Sequence, residues 1–284
     1  MKKLFVMLGV SLVVAIGFCG CGKEAEARAK AEAETKAKDE AATRARAEAE
    51  AEAGEPLRNG VVTLPGGVQL KMVKIDAGTF KRGEHQVTLT KPYYLGETEV
   101  TQAQWRAVMG NNPSRFQGDS RPVEQVSWND AMEFCKKLNE SGKAPAGWKF
   151  MLPTEAQWEF AARGGNRSRG YTYSGSNDVG DVAWYTRNSG NETHAVRQKG
   201  ANELGLYDMS GNVWEWCLDW YGSGSYSSSA VTDPQGPQSG SDRVLRGGSW
   251  YTSAHWYSSA GRDDGDPDDR DDYRGFRLAL VPVQ

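Results

Sequence analysis

Two acidic residues beside a glycine turn have the chemistry of a cation site. Asp208 and Glu215 lie in the segment DMSGNVWE, on either side of Gly211. Carboxylates are the hard oxygen donors that Ca²⁺ prefers. The alternative is structural, with Glu215 capping the loop backbone through a hydrogen bond. Strand alternation would place Trp214 and Trp216 on one face, in the core, and Glu215 on the other.

The nucleophile and metal motifs of common enzymes are missing from the sequence. Its three histidines, His85, His194 and His255, share no metal-ligand spacing. No GxSxG, phosphate-binding loop or HExxH motif occurs. Cys135 and Cys217 lie in apolar surroundings, and two cysteines make no disulfide framework. We therefore expect two buried free thiols.

Aspartate dominates one stretch near the C-terminus. Seven of the ten residues 263–272 are Asp and none is Glu, although a patch selected for charge alone should contain both acids. If both adenines of an Asn codon were randomised, Trp, Gln, Met, Lys and Glu would be unreachable. These types make up 63 of the 284 residues, which predicts about five between Tyr251 and Arg274, where only Trp256 occurs. The alternative is a disordered or Ca²⁺-binding Asp-rich loop.

The N-terminus has the features of a secretion signal. A basic start and an apolar run over residues 4–18 precede Cys19-Gly20-Cys21, and the run is too short for a membrane span. The small residue before Cys21 suits lipoprotein processing, in which acylated Cys21 anchors the protein to a membrane. Residues 1–21 are therefore predicted to be a lipoprotein signal peptide. An ordinary signal peptide with incidental cysteines is the alternative.

The next segment, residues 22–56, differs in composition from the rest of the chain. It is rich in Ala, Glu and Lys, which favours helix, but it has no apolar stripe to bury. We predict a helical stalk, with a flexible tether as the alternative. Residues 57–284 are long enough for one domain with its own core. The net charge of −3 and the absence of a basic block give no indication of nucleic-acid binding.

Periodic patterns predict two strands and three helices in this domain. Val68–Phe80 alternates apolar and polar residues and should be a strand, and His85–Leu95 should be a second. Helices are predicted to begin at Thr101, to run from an N-cap at Ser127 to Leu138, and to cover Thr154–Arg163. The remainder is rich in Gly, Ser, Asn and Trp, which indicates an irregular α+β domain with short strands and long loops.

Six motifs follow one another along this domain: GETEVTQAQW (96–105), RPVEQVSWNDA (121–131), LPTEAQWEFAARGG (152–165), NELGLYDMSGNVWEWCLDWY (202–221), RVLRGGSW (243–250) and GFRLAL (275–280). Together they resemble the formylglycine-generating-enzyme, or sulfatase-modifying-factor, domain family. The match covers nearly the whole domain in order. The resemblance implies an α+β, C-type-lectin-like fold with little regular secondary structure and a Trp-rich core.

The same resemblance implies a structural calcium site. The positions that match the family's ligands are the side chains of Asp208 and Glu215 and the backbone carbonyls of Gly211 and Val213.

The enzyme members of this family oxidise a substrate cysteine with two active-site cysteines and copper, shortly after the GGS motif. Here Thr252 and Tyr257 occupy roughly those places, and no cysteine follows Cys217. Soft thiolates select Cu(I), so hydroxyl groups cannot replace them. We therefore expect no copper and no enzymatic activity. An enzyme with unrecognised chemistry is the alternative.

The domain and its Asp-rich window, residues 251–274, together resemble the variable proteins of diversity-generating retroelements. The resemblance is greatest to a treponemal type that is also a lipoprotein. This implies a receptor whose ligand site, within about residues 243–280, is diversified by adenine-directed mutagenesis. The ordered segments Arg243–Trp250 and Gly275–Leu280 enclose a stretch that looks unselected for folding. The scaffold positions carried over are Gly247, Gly248, Ser249, Trp250, Gly275, Phe276 and Arg277.

Variable side chains must be exposed to solvent, because only there do substitutions have little folding cost. Trp256 is not reachable from an Asn codon and should be a fixed anchor. Tyrosines would supply rigid contact area, as in antibody loops. The predicted variable, ligand-binding residues are Tyr251, Thr252, Ser253, His255, Tyr257, Gly261, Asp263, Asp264, Gly265, Asp266, Asp269, Asp271, Asp272, Tyr273 and Arg274.

The ligand is left open by the sequence, and a protein or a glycan would suit such a site. Seven aspartates predict a basic or metal-bridged ligand whose affinity falls as salt rises. The expected location is the outer surface of a bacterial cell, through a lipid anchor; the leaflet and the oligomeric state are open. The alternative function is a non-catalytic structural module of the envelope.

Overall fold

The computed structural model describes residues 30, 38, 56–222, 230–253 and 258–283, without the side chain of Arg58. The chain divides into two units, residues 1–55 and 56–284. Lys30 and Lys38, in the first unit, are helical and exposed. Cys21 and the signal peptide lie outside the described residues, so the lipid anchor and the stalk stay predictions. Within the described ranges, no helix is long and apolar enough to cross a membrane.

The second unit has short helices and strands joined by long loops. Its α-helices are α1 (Gln102–Met109), α2 (Trp128–Glu140), α3 (Glu155–Ala162) and α4 (Val179–Val182). Its strands are β1 (Val61–Thr63), β2 (Gln69–Ile75), β3 (Gly78–Arg82), β4 (His85–Leu89), β5 (Tyr93–Gly96), β6 (Trp148–Met151), β7 (Trp214–Trp220), β8 (Val231–Thr232), β9 (Arg243–Arg246), β10 (Arg262–Gly265), β11 (Arg274–Gly275) and β12 (Ala279–Pro282).

The strands form three sheets. The largest has the order β1-β2-β5-β12-β6, the second β10-β9-β7-β11 and the third β3-β4-β8. Strand β12 pairs antiparallel with both β5 and β6, with Ala279 opposite Leu95 on one side and Met151 on the other. Strand β12 therefore lies inside the largest sheet. The segment that follows the window, Gly275–Leu280, is held in the core as a result.

Each of the three longer helices begins with a capping box. The N-cap hydroxyl accepts the N–H of the third helical residue, whose side chain accepts the N–H of the N-cap residue. The predicted helix starts at Thr101 and Ser127 are confirmed. The pairs are Thr101–Gln104, Ser127–Asp130 and Thr154–Gln157.

Both predicted strands are divided, and the predictions of single strands were wrong. Val68–Phe80 becomes β2 and β3, because β2 joins the five-stranded sheet and β3 the three-stranded sheet. His85–Leu95 is divided into β4 and β5 in the same way. The break lies next to Pro92, which has no N–H to donate to a ladder.

Five tryptophans and four phenylalanines are buried in the described part of the chain, in line with the Trp-rich core that the family resemblance implied. In the first core cluster Trp105 stacks on Phe134 at 5.5 Å between ring centres, and Phe276 packs edge-on against Phe134 at 5.5 Å. A second cluster surrounds the fully buried Trp158. Cys135 and Cys217 are buried and free, which confirms the prediction of two buried thiols.

Part of the Asp-rich stretch is regular structure. Strand β10 pairs antiparallel with β9 over four residues, and β11 pairs in parallel with β7. The expectation that this stretch is unselected for folding is wrong at Arg262, whose side chain bonds to buried Glu155, and at Gly265, which is buried against Trp216.

Candidate functional site

A fully buried ion pair joins β7 to the segment that follows β11. Arg277 Nε and Nη2 each donate to Glu215 at 2.6 Å, and Trp158 Nε1 donates to the same carboxylate at 2.6 Å. On the opposite face of β7, Trp214 and Trp216 pack in the first core cluster, which confirms the predicted alternation. The alternative role of Glu215 as a backbone cap is wrong, because Arg277 and Trp158 engage both oxygens.

The residues predicted to bind calcium are only partly available. Asp208 is buried, its Oδ2 accepts the N–H of Arg197 at 2.8 Å, and burial raises its pKa to about 6. Glu215 is held by the contacts above, whereas Ca²⁺ takes roughly six to eight oxygen ligands. Over the described ranges, no group of three or more His, Cys, Asp or Glu side chains is placed to hold a metal ion.

Glu99 adds a third buried carboxylate to this region. It is 0% exposed, and neither carboxylate oxygen has a hydrogen-bond partner among the described residues. Burial, followed by the charges of Asp208 and Glu215, raises the pKa of Glu99 well above its ordinary value. Three carboxylates thus oppose one arginine, and a cation or a proton must balance them. The charge fits a cation, although Glu215 is already held by Arg277 and Trp158, so calcium at Asp208, Gly211, Val213 and Glu215 stays a prediction.

The scaffold residues at the two ends of the window are buried. Gly247 and Gly248 have φ angles of 95° and 78°, a region that favours glycine. A Cβ atom on Gly275 would lie 2.6 Å from the carbonyl oxygen of Val123. The remaining four are also buried: Ser249, Trp250, Phe276 and Arg277.

Of the thirteen described residues predicted to be variable, four are exposed, eight are partly buried and one is buried. Tyr251 is 66% exposed. Ser253, Asp266 and Asp269 are also exposed. His255 and Tyr257, with the expected anchor Trp256, lie outside the described residues. The partly buried positions are Thr252, Gly261, Asp263, Asp264, Asp271, Asp272, Tyr273 and Arg274.

Gly265 does not meet the exposure condition. It is buried at the end of β10, where a Cβ atom would lie 3.0 Å from Trp216 and 3.0 Å from Arg274 Nη1. Any larger residue would press on the core tryptophan, so free variation at this position conflicts with the packing.

Four aromatic side chains contact one another in a row beside the window, which we call the aromatic ladder. Phe116 packs edge-on against Trp250 at 5.5 Å, Trp250 contacts Tyr251 at 5.5 Å, and Tyr251 stacks with Tyr273 at 6.3 Å. The inner rings come from the scaffold and the outer two from the predicted variable positions. The ladder therefore presents rigid, accessible tyrosine faces on a buried base.

Two arginines pair with three aspartates of the window. Arg274 pairs with Asp269 at 2.9 Å and with Asp271 at 3.2 Å, and Arg115 pairs with Asp272. These two arginines therefore offset two of the seven negative charges that the sequence count indicated.

Residues remote in sequence hold the window in place, and sequence reasoning missed them. Asn129 Nδ2 donates to Asp268 at 2.8 Å, and Arg270 makes two bonds to Asp130, of 2.7 and 2.9 Å. The hydroxyl of Ser189 donates to the carbonyl of Trp250 at 3.0 Å. The capping motif at Ser127 placed Asn129 at a helix start, but nothing in it indicated contact with the window.

A buried ionic network anchors the start of β10. Arg262 donates to both carboxylate oxygens of Glu155 on α3, at 2.5 and 3.0 Å. Arg246 on β9, which is 0% exposed, pairs with Glu159 at 2.7 Å, and Arg82 pairs with Glu159 at the same distance. Strand β10 is thus held to the interior by ion pairs as well as by its backbone hydrogen bonds to β9.

Thr252, which lies roughly where the enzyme members have their first active-site cysteine, has a structural role. Thr252 Oγ1 accepts the N–H of Ser249 at 3.1 Å and lies 2.9 Å from the Ser249 hydroxyl. These contacts close the turn after the GGS motif. Tyr257, at the second position, lies outside the described residues.

The sequence comparison places this architecture in a known class. Residues 45–281 match the sulfatase-modifying factor enzyme 1-like domain, and the chain belongs to this family. Its fold is α+β and C-type-lectin-like, as the resemblance implied. The family includes formylglycine-generating enzymes. That of Streptomyces coelicolor is 36% identical over 195 residues, and the match covers 63% of this chain and 59% of the enzyme.

Two further relatives are not named as enzymes of this kind. The structure of Treponema denticola variable protein 1 is 36% identical, with a TM-score of 0.70, and the match covers 78% of this chain and 98% of that protein. Chaperone protein LppX of Paenibacillus barcinonensis is 36% identical over 235 residues, covering 65% of this chain and 80% of LppX.

Proposed function

We propose that this protein is a non-enzymatic, surface-displayed receptor whose C-terminal site is diversified by adenine-directed mutagenesis, as in the variable proteins of diversity-generating retroelements. A lipid on Cys21 would hold it on the outside of a bacterial cell. Its ligand is a protein or a glycan, and it has no role for copper or nucleic acid.

One observation carries this proposal. Accessible side chains of the window stand between buried ends that the core fixes, Trp250 on one side and Arg277 on the other. Changes on the accessible face would leave the fold intact, which is the condition for tolerating rewriting. The similarity to a protein named as variable supports the same function.

Genomic DNA gives the first test. A near-copy of the coding segment for residues 251–274, differing only at adenines and accompanied by a reverse transcriptase gene, is expected. Sibling proteins should differ at the accessible positions and agree at Trp250, Gly275 and Phe276. A genome without such a repeat, or siblings with an unchanged window, would contradict the proposal.

An envelope module without a diversified site is the second candidate, and the similarity to a protein named as a chaperone favours it. The two functions differ in the behaviour of the window. A chaperone-like module should have the same window sequence in different strains. It should also suppress the aggregation of an unfolded client protein. A diversified receptor should do neither.

Enzymatic activity is tested directly. Purified protein supplied with Cu(I), oxygen and a cysteine peptide should form no formylglycine, whereas a formylglycine-generating enzyme does so under the same conditions. Product formation above that of a Cys217→Ala variant would contradict the non-enzymatic function.

Binding should depend on ionic strength only in part. Once a ligand is known, its affinity should fall with salt less steeply than seven free aspartates would give, since Arg274 and Arg115 pair with three of them and offset two of their charges. An affinity that is equal at low and high salt would exclude a basic ligand.

A further inference from the structure

Arg115 lies outside the predicted variable window but beside its surface. Its guanidinium pairs with Asp272, and the guanidinium carbon lies 5.0 Å from the centre of the Phe116 ring. The Arg115 side chain is 64% exposed, whereas that of Asp272 is 15% exposed. The guanidinium of Arg115 therefore lies at the surface next to the aromatic ladder, with Asp272 as its partner.

Buried polar side chains fix the loop on both sides of Arg115. The Phe116 N–H donates to Glu124 Oε1 at 2.7 Å, and Gln102 Nε2 donates to the Phe116 carbonyl at 2.7 Å. Just before Arg115, the Ser114 hydroxyl accepts the Glu124 N–H at 3.1 Å. Glu124 and Gln102 are both 0% exposed. The backbone that carries Arg115 is thus held in one place, which lowers part of the entropic cost of binding through its side chain.

The backbone at position 272 is held equally well. Trp250 Nε1 donates to the Asp272 carbonyl at 2.9 Å, and the Gln125 N–H donates to the Asp271 carbonyl at 3.0 Å. A side chain at position 272 therefore always begins at the same point in front of Arg115. Aspartate is the only acid that a rewritten Asn codon reaches, so it is the only variable residue there that neutralises the guanidinium.

We infer that Arg115 is a constant oxyanion-binding residue of the ligand surface, and that the residue at position 272 decides whether it is available. This inference rests on the proposed function of the window. The planar guanidinium matches carboxylate and sulfate groups through paired N–H donors. In this chain Asp272 occupies Arg115 and the surface rejects anions. A neutral residue at position 272 opens an anion subsite beside Tyr251 and Tyr273.

Sulfate and acetate titrations test the inference on the full chain. Asp272→Asn is titrated with each anion at constant ionic strength, and the Arg Nε–H signals are followed by NMR. Loss of a competing exposed ion pair should lower the apparent Kd for sulfate by about fivefold relative to the unchanged protein. Acetate distinguishes a carboxylate subsite from one that requires the greater charge of sulfate. The gain should disappear in Asp272→Asn combined with Arg115→Gln.

The matched control is Asp119→Asn, which frees Arg106. Arg106 is accessible like Arg115, at 43% exposure, although Asp119 at 75% is more exposed than Asp272 at 15%; the pair lies outside the window. An equal gain in both variants would mean only a general effect of charge and would overturn the inference, as would no gain in a folded Asp272→Asn protein. Asp272→Ser repeats the test if the asparagine variant does not fold. Siblings with an unchanging residue 272 would contradict the proposed diversification but not the anion result.

Discussion

Replacing Arg277 with methionine tests whether the buried ion pair stabilises the C-terminal part of the domain. Methionine keeps the apolar length of the side chain but removes its charge and donors. Glu215 would retain only the bond from Trp158 Nε1, and the carbonyls of Gly96 and Tyr207 would each lose a donor at 3.0 Å. Breaking one side of a buried ion pair costs about 3–5 kcal/mol.

The corresponding change in melting temperature follows from the size of the domain. At about 2–4 °C for each kcal/mol, the variant should melt roughly 6–20 °C lower. Urea unfolding followed by tryptophan fluorescence and circular dichroism gives the free energy. Arg106→Met is the control, because its pair with Asp119 is exposed and should contribute less than about 1 kcal/mol.

The double variant separates the pair from the packing around it. Adding Glu215→Gln to Arg277→Met removes the uncompensated charge and should recover part of the lost stability. A loss in Arg277→Met no larger than in Arg106→Met would refute the reasoning. So would a double variant that shows the sum of two independent losses.

Three other outcomes are expected. Gly265→Val should destabilise the domain by about 1–3 kcal/mol through overpacking. The control Tyr251→Ala should change the free energy of unfolding by less than about 0.5 kcal/mol. Equal effects of the two substitutions would mean that Gly265 tolerates substitution as well as an exposed position does. Burial raises the pKa of Glu124 to about 7, so the folded protein keeps a proton that the unfolded chain releases near pH 4.5 and loses stability as pH rises between these values. Glu124→Gln should remove this slope and stabilise the domain at pH 8 by roughly 1–2 kcal/mol after allowance for solvent screening; parallel pH profiles of unfolding would contradict it. Finally, 1 mM CaCl₂ should raise the melting temperature above that in EGTA; if this concentration is a hundredfold above Kd, the free energy of unfolding rises by about 2.7 kcal/mol. Asp208→Asn should abolish the response, and an unchanged melting temperature in the original protein would contradict the calcium site.

The charge of the window's surface differs from the charge that its number of aspartates predicts. The sequence contains seven aspartates in ten residues, which predicts a strongly acidic site. In the structure Asp272 meets Arg115, which is 157 residues away along the chain. Pairing of this kind depends on where two loops are brought together, and neither loop carries a local signal for it.

Local interactions are what the sequence determined by itself. The hydroxyl of Thr101 and the side chain of Gln104 are three residues apart, so their capping box forms wherever that segment becomes helical, and the same holds at Ser127. Alternation along β7 likewise fixed the opposite orientations of Trp216 and Glu215. Motif order, read as a whole, was sufficient to recognise the family.

Tertiary structure decided the contacts that connect distant segments. Glu215 is paired with Arg277 across 62 residues, where sequence reasoning expected calcium or a backbone cap. Sequence reasoning counted Gly265 as a variable position, but Trp216 lies only 3.0 Å from where its Cβ atom would be. These contacts follow from sheet register and from the way the closing strand β12 enters the core. Both depend on the free energy of the whole packed domain, which no short stretch of sequence contains.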